Sequence, residues 1–121
     1  MSASQCIFCR ISAGEIPCRQ VYATSTVLAF HDIQPQAPTH ILLIPRLHIA
    51  TLNDFPIEQR GLAADLIAAT QQIVRDLGLA TRGYRVIINT NADAGQEVFH
   101  LHWHICGGQP LGKMLTINRA Q

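Results

Sequence analysis

The chain has 121 residues, of which 48% are hydrophobic and 14% charged, and its formal net charge is +1. That length suits one domain, residues 1–121, large enough to bury a core without disulfide staples, and the composition excludes a disordered chain. The nine Lys and Arg residues do not cluster, and no run approaches the roughly 18 apolar residues of a membrane helix, so neither nucleic acid nor a bilayer is an expected partner.

Met1-Ser2-Ala3-Ser4-Gln5 has neither the charged nor the apolar region of a signal peptide. A soluble, cytosolic protein is expected, with its four cysteines kept out of disulfides by a reducing compartment. Cys6 to Ala13 reads as a short helix or turn with Ile7, Phe8 and Ile11 as its apolar positions, ended by Gly14. Gln20-Val21-Tyr22 and Thr26-Val27-Leu28-Ala29-Phe30 read as strands around a polar turn. His31 to Thr39 contains Pro35 and Pro38 and is expected to be a loop. His40-Ile41-Leu42-Leu43-Ile44 is a continuous apolar strand, central in its sheet, closed by Pro45.

Asp54 to Leu77 is the long helix. Asp54 is placed to cap it and Pro56 fits its first turn, while Leu62, Leu66, Ala69, Ile73 and Leu77 repeat at helical spacing up to Gly78. Tyr84 to Asn89 reads as a strand, Asn91 to Gln96 as a turn or loop, and Phe99 to Cys106 as a last strand stopped by Gly107-Gly108. The segment 109–121 is left as a C-terminal arm. Strands, one main helix and more strands, with few crossovers available, imply an α+β domain: an antiparallel five-stranded sheet with one long and one short helix.

Period two in the last strand puts His100, His102, His104 and Cys106 on one face, and Phe99, Leu101, Trp103 and Ile105 on the other, toward the core. Such a row suits a polar strand face, a structural metal site or catalysis. Imidazole titrates near neutrality, so one ring can act as a neutral nucleophile beside a proton-donating neighbour. Attack on phosphorus would give a phosphoramidate that water can cleave, and it requires the proton on Nδ1 so that Nε2 is free. Gly95-Gln96, just upstream, allows close backbone approach, with exposed N–H groups to hold phosphate oxygens.

Cys6-x-x-Cys9 is half of a zinc site without a second such pair. A redox pair and two buried small residues are the other readings.

His100-Leu101-His102-Trp103-His104-Ile105-Cys106 resembles the histidine-triad (HIT) motif, in which histidines alternate with hydrophobic residues. The resemblance extends over Cys6-Ile7-Phe8-Cys9-Arg10-Ile11, Glu15-Ile16-Pro17, Ala29-Phe30-His31-Asp32-Ile33, Pro35 to His40, Ile44 to His48 and Gly95-Gln96-Glu97-Val98. It is nearest to the bacterial purine nucleoside phosphoramidase branch. It implies a homodimer whose sheets join, and hydrolysis of purine nucleoside 5′-phosphoramidates through a nucleotidyl-histidine intermediate. The alternatives are a nucleotide-sensing interaction module with incidental hydrolysis, or a dinucleoside polyphosphate hydrolase.

By position, the resemblance makes His102 the nucleophile and His104 its partner at the α-phosphate, with His100 and His40 forming the polar chain behind the nucleophile. Asp32 would accept the ribose hydroxyls. Phe8, Ile11, Phe30 and Ile33 would wall the base pocket, and Asn89, Gly95, Gln96, Glu97 and Val98 would line the phosphate and leaving-group side. Glu97 stands where many eukaryotic members carry serine, which leaves Glu97 and His104 as candidate leaving-group acids. The resemblance also implies a structural zinc ion held by Cys6, Cys9, His48 and His100. The arm from Leu111 to Gln121 matches the family only loosely.

Overall fold

In a computed structural model that describes residues 5–116, Gln20–Ala23 (β1), Val27–His31 (β2), Thr39–Pro45 (β3), Tyr84–Ile87 (β4) and Trp103–Gly107 (β5) form one antiparallel sheet in the order β1-β2-β3-β5-β4. The N-terminal tetrapeptide and the end of the expected arm, 117–121, lie outside the described residues. Three helices accompany the sheet: Ile7–Ser12 (α1), Arg60–Asp76 (α2) and the single turn Asn91–Ala94 (α3). The architecture is the expected α+β sheet with one long helix. The single turn α3 is a second short helix, in the segment expected to be a turn or loop.

β3 is the middle strand and is buried from His40 to Pro45 because both of its faces are covered. On one face Ile41 and Leu43 meet Val27, Ala29, Ile105, Leu101 and the buried stripe of α2, Leu62, Leu66, Ala69 and Ile73. On the other, Leu42 and Ile44 pack with Leu28, Phe30 and the α1 side chain Phe8. Burying a side chain the size of leucine contributes roughly 1.5–3 kcal/mol, so this two-sided strand anchors the fold.

α2 begins six residues later than expected. Asp54 caps a different element, a 3-10 turn at Leu52–Asp54: the Thr51 amide donates to Asp54 Oδ2 at 3.1 Å and the Asn53 amide to Thr51 Oγ1 at 3.1 Å. Pro56 therefore falls between the two elements. Leu77, expected on the buried stripe, is the C-cap and is exposed, while Thr70 and Val74 complete that stripe.

The last strand is shorter than its alternation implies. Ladder pairing starts at Trp103, so His100, Leu101 and His102 approach the sheet without belonging to it. Leu101 and Ile105 still enter the core and Trp103 packs against it, but Phe99 is exposed. Similarly, β4 stops at Ile87 rather than Asn89. Beyond β5, Gly108 takes φ +96°, and a Cβ there would stand 2.9 Å from Pro38 Cβ. The described part of the arm carries no helix or strand, and Arg85 donates to its carbonyl oxygens at Gly112, 2.9 Å, and Lys113, 3.3 Å.

Candidate active site

A cavity of about 680 Å³ opens on the α1 side of the sheet, within the range of small-molecule sites. His102 and His104 form part of its wall together with Phe8, Phe30 and Asp32. The Phe8 and Phe30 rings meet edge to face at 5.6 Å. His102 and His104 have ring centroids 5.0 Å apart.

The backbone fixes the protons on these rings. His102 Nδ1–H donates to the His100 carbonyl oxygen at 2.8 Å, which leaves Nε2 with a free lone pair. The Gln36 amide donates to His40 Nδ1 at 3.0 Å, so His40 carries its proton on Nε2 and presents it to His104 Nδ1 at 2.9 Å. His104 then holds its own proton on Nε2. Neighbouring rings thus offer opposite functions, a lone pair on His102 and a donor on His104. His100 is oriented in turn by donation from Nε2–H to the Pro45 carbonyl at 2.8 Å, which turns its Nδ1 lone pair toward Cys6 and Cys9.

Burial keeps the triad neutral. It is the main cause that lowers His104 from 6.5 to about 4, reinforced by His102 and His40 and opposed by Asp32. His100 is likewise lowered to about 4, chiefly by burial and against its bond to Pro45. His102 is lowered too, by burial, with the His100 carbonyl and Asp32 acting the other way.

Cys6, Cys9, His48 and His100 bring two sulfurs and two nitrogens within 4.8 Å of one another. The group can hold a metal ion: His100 Nδ1 is unprotonated, and two thiols with two imidazoles are a tetrahedral donor set. Burial, then the Cys6 sulfur, pushes the Cys9 thiol up to about 11, so metal binding must displace protons. Asp32, His40 and His104 lie equally close together. There, however, the Gln36 amide places a hydrogen on His40 Nε2, in the space that a cation would need. We read that second group as a proton chain.

The sequence-derived residues Phe8, Ile11, Phe30, Asp32, Ile33, Asn89, Gly95, Gln96, Glu97, Val98, His102 and His104 all border the cavity. His100 and His40 sit behind it, and the chain expected behind the nucleophile is divided. The ring of His40 serves His104, and His100 serves His102 through its carbonyl.

The expected phosphate cradle also changes. The Gly95 and Gln96 amides are engaged inside the turn, with Ala92 and Asn91 carbonyls at 3.0 and 3.1 Å. The Gln96 side chain accepts from the Asn91 amide and donates to the Ala50 and Val98 carbonyls, at 2.9, 2.9 and 3.0 Å. It therefore staples the loop that borders the cavity. Sequence reasoning missed Arg19 and His31 at the rim and Gln36. No spacing marks Arg19, and the role of Gln36 lies in its amide, which residue type does not reveal.

The HIT domain family matches residues 13–111. The chain belongs to the HIT family. A HIT relative, the purine nucleoside phosphoramidase of Escherichia coli K12, is 48% identical over 114 residues, covering 94% of this chain and 96% of that protein. Among solved HIT structures, a histidine triad protein from Clostridium difficile superposes with a TM-score of 0.90 at 41% identity, covering 95% of this chain and all of that one. A HIT family hydrolase from Legionella pneumophila gives 0.86 at 44% identity, covering 88% and 96% of the two chains.

Proposed function

We propose that this HIT protein hydrolyses the P–N bond of purine nucleoside 5′-phosphoramidates, with His102 as the nucleophile. The observation that carries the reading is the paired tautomer at the cavity wall: a His102 Nε2 lone pair beside a His104 Nε2–H. The name of the Escherichia coli relative supports the substrate class.

His102 Nε2 attacks phosphorus, and the bonding pair of the P–N bond leaves with the amine, which takes a proton from solvent on the Glu97 side. His104 Nε2–H holds charge on the phosphoryl oxygens. Water then attacks phosphorus and gives up one proton to solvent, the P–Nε2 bond breaks with its pair returning to Nε2, and neutral His102 is restored as the nucleoside monophosphate leaves. Phe8, Ile11, Phe30 and Ile33 stack the purine. Asp32 accepts the ribose hydroxyls: Oδ1 takes the Gln34 amide at 2.8 Å and Oδ2 faces His40 at 3.4 Å, but each oxygen keeps a second lone pair.

Cys6, Cys9, His48 and His100 would hold a structural zinc ion, which would tie α1 to the triad segment. A homodimer is supported by the sheet edge. Tyr84, Val86 and Trp103 continue the face of β3 that α2 covers, yet both β4 residues are exposed, and an apolar groove of about 280 Å³ runs beside Trp103. Trp103 Nε1 is buried with no hydrogen-bond partner among the described residues. A second copy pairing along β4 would cover this surface. Four free cysteines suit a reducing, cytoplasmic setting.

The test is mass spectrometry of protein quenched during turnover of a slow adenosine phosphoramidate. A nucleotidyl adduct on His102 is expected. Turnover with no adduct on any histidine would refute the mechanism.

A further inference from the structure

The metal-ligating group and the nucleotide cavity share two mechanical links. The first is His100, whose ring reaches Cys6 Sγ at 3.3 Å and Cys9 Sγ at 3.5 Å while its carbonyl receives the His102 Nδ1–H at 2.8 Å. Any change in where the His100 ring is held is therefore passed along its own backbone to the nucleophile. The second is Phe8, which stands between Cys6 and Cys9 in sequence. Its ring meets His100 at 5.9 Å and His102 at 5.2 Å, both edge to face, and it forms part of the cavity wall. Cys6 also caps α1, its sulfur accepting the Cys9 amide at 3.4 Å, so both thiols set the entry of the helix that carries Phe8.

We propose that the Cys6–Cys9–His48–His100 group is a positioning site for the nucleophile, so that a divalent metal bound there and a nucleotide in the cavity each tighten the other's binding. The nucleotide identity rests on the function proposed above. The coupling itself follows from the two links and is reciprocal by thermodynamic necessity. Part-exposed Cys9 and His48 give the ion its way in, while Cys6 and His100 are fully buried.

The experiment uses AMP, Zn²⁺ and Co²⁺ with the full chain. AMP affinity is measured by calorimetry in chelator-treated and Zn²⁺-loaded protein, and the Co²⁺ form is followed by its visible absorption during AMP titration. The expected result is AMP binding on the order of tenfold tighter with Zn²⁺, and a change in the Co²⁺ bands that saturates with AMP. If chelation unfolds the protein, the Co²⁺ spectrum carries the test alone, because folding cannot change the bands of an already folded, loaded protein. Co²⁺ bands unmoved by saturating AMP, or failure of the group to take up either metal, would overturn the proposal. Coupling without any phosphoramidate turnover would uphold it and sink the hydrolase reading instead.

Discussion

His102 and His100 are joined by a bond that uses only the backbone of one and the ring of the other: Nδ1–H of His102 to the carbonyl oxygen of His100, 2.8 Å. Because a carbonyl can only accept, the nucleophilic nitrogen is defined without help from another side chain. His102→Ala should keep AMP affinity within a few-fold while turnover falls on the order of 10³-fold or more. Steady-state kinetics with calorimetry checks this, and a variant that retains full turnover would remove His102 from the mechanism.

The pH profile follows from the lowered values. Attack needs neutral His102, and burial holds its proton affinity below the ordinary histidine range. His104 stays neutral until about pH 4. The acid limb of kcat/KM should therefore lie below pH 6.5, with activity flat from there to neutrality. Stability moves with the same sign. The unfolded chain takes up the His104 proton near pH 6.5 and the folded chain only near 4, so stability is complete above 6.5 and declines as pH falls toward 4. An acid limb centred above 6.5 would contradict this environment.

Gln36 allows the proton chain to be cut without touching a ring. Gln36→Pro removes the amide hydrogen that keeps His40 protonated on Nε2, while Gln36→Ala retains it. The proline variant should lose roughly 1 kcal/mol of stability and about tenfold in kcat, with ¹⁵N NMR showing mixed His40 tautomers. The alanine variant should match the parent. Equal kcat for both would show that the amide does not matter.

Gln96→Ala strips three hydrogen bonds from the loop and leaves the Ala50 and Val98 carbonyls and the Asn91 amide short of a partner. A loss of about 1–3 kcal/mol is expected, read by chemical denaturation, together with a raised KM. A substrate-contact role alone would raise KM without that loss of stability.

Val86→Glu places a charge on the exposed face of the edge strand. The parent should sediment as a dimer and the variant as a monomer. An unchanged sedimentation mass would show that β4 is not the joining edge.

The strands and the long helix were legible because β3 is apolar from Ile41 to Pro45 and α2 repeats its buried residues at helical spacing. Asp54 misled because capping chemistry is local: Thr51 and Asp54 close a box around a turn three residues long, and nothing in their types says which helix follows. The histidine alternation led to the shared orientation although the strand is paired only from Trp103, since extended backbone can alternate without ladder partners. The cavity residues were legible largely through family resemblance. What stayed hidden was made by main-chain groups, the Gln36 amide and the His100 and Pro45 carbonyls, whose contribution does not depend on the side chain at those positions.

Gly108 lies outside the cavity and contributes no side chain to it. Yet a single added carbon there would press on Pro38, in the same loop whose Gln36 amide selects the protonated nitrogen of His40. The bend that ends the last strand and the choice of proton donor beside the nucleophile are thus one constraint. An alanine scan that ignored glycines would pass over this residue, although a change at it would be read out two rings away, as the wrong hydrogen on His104.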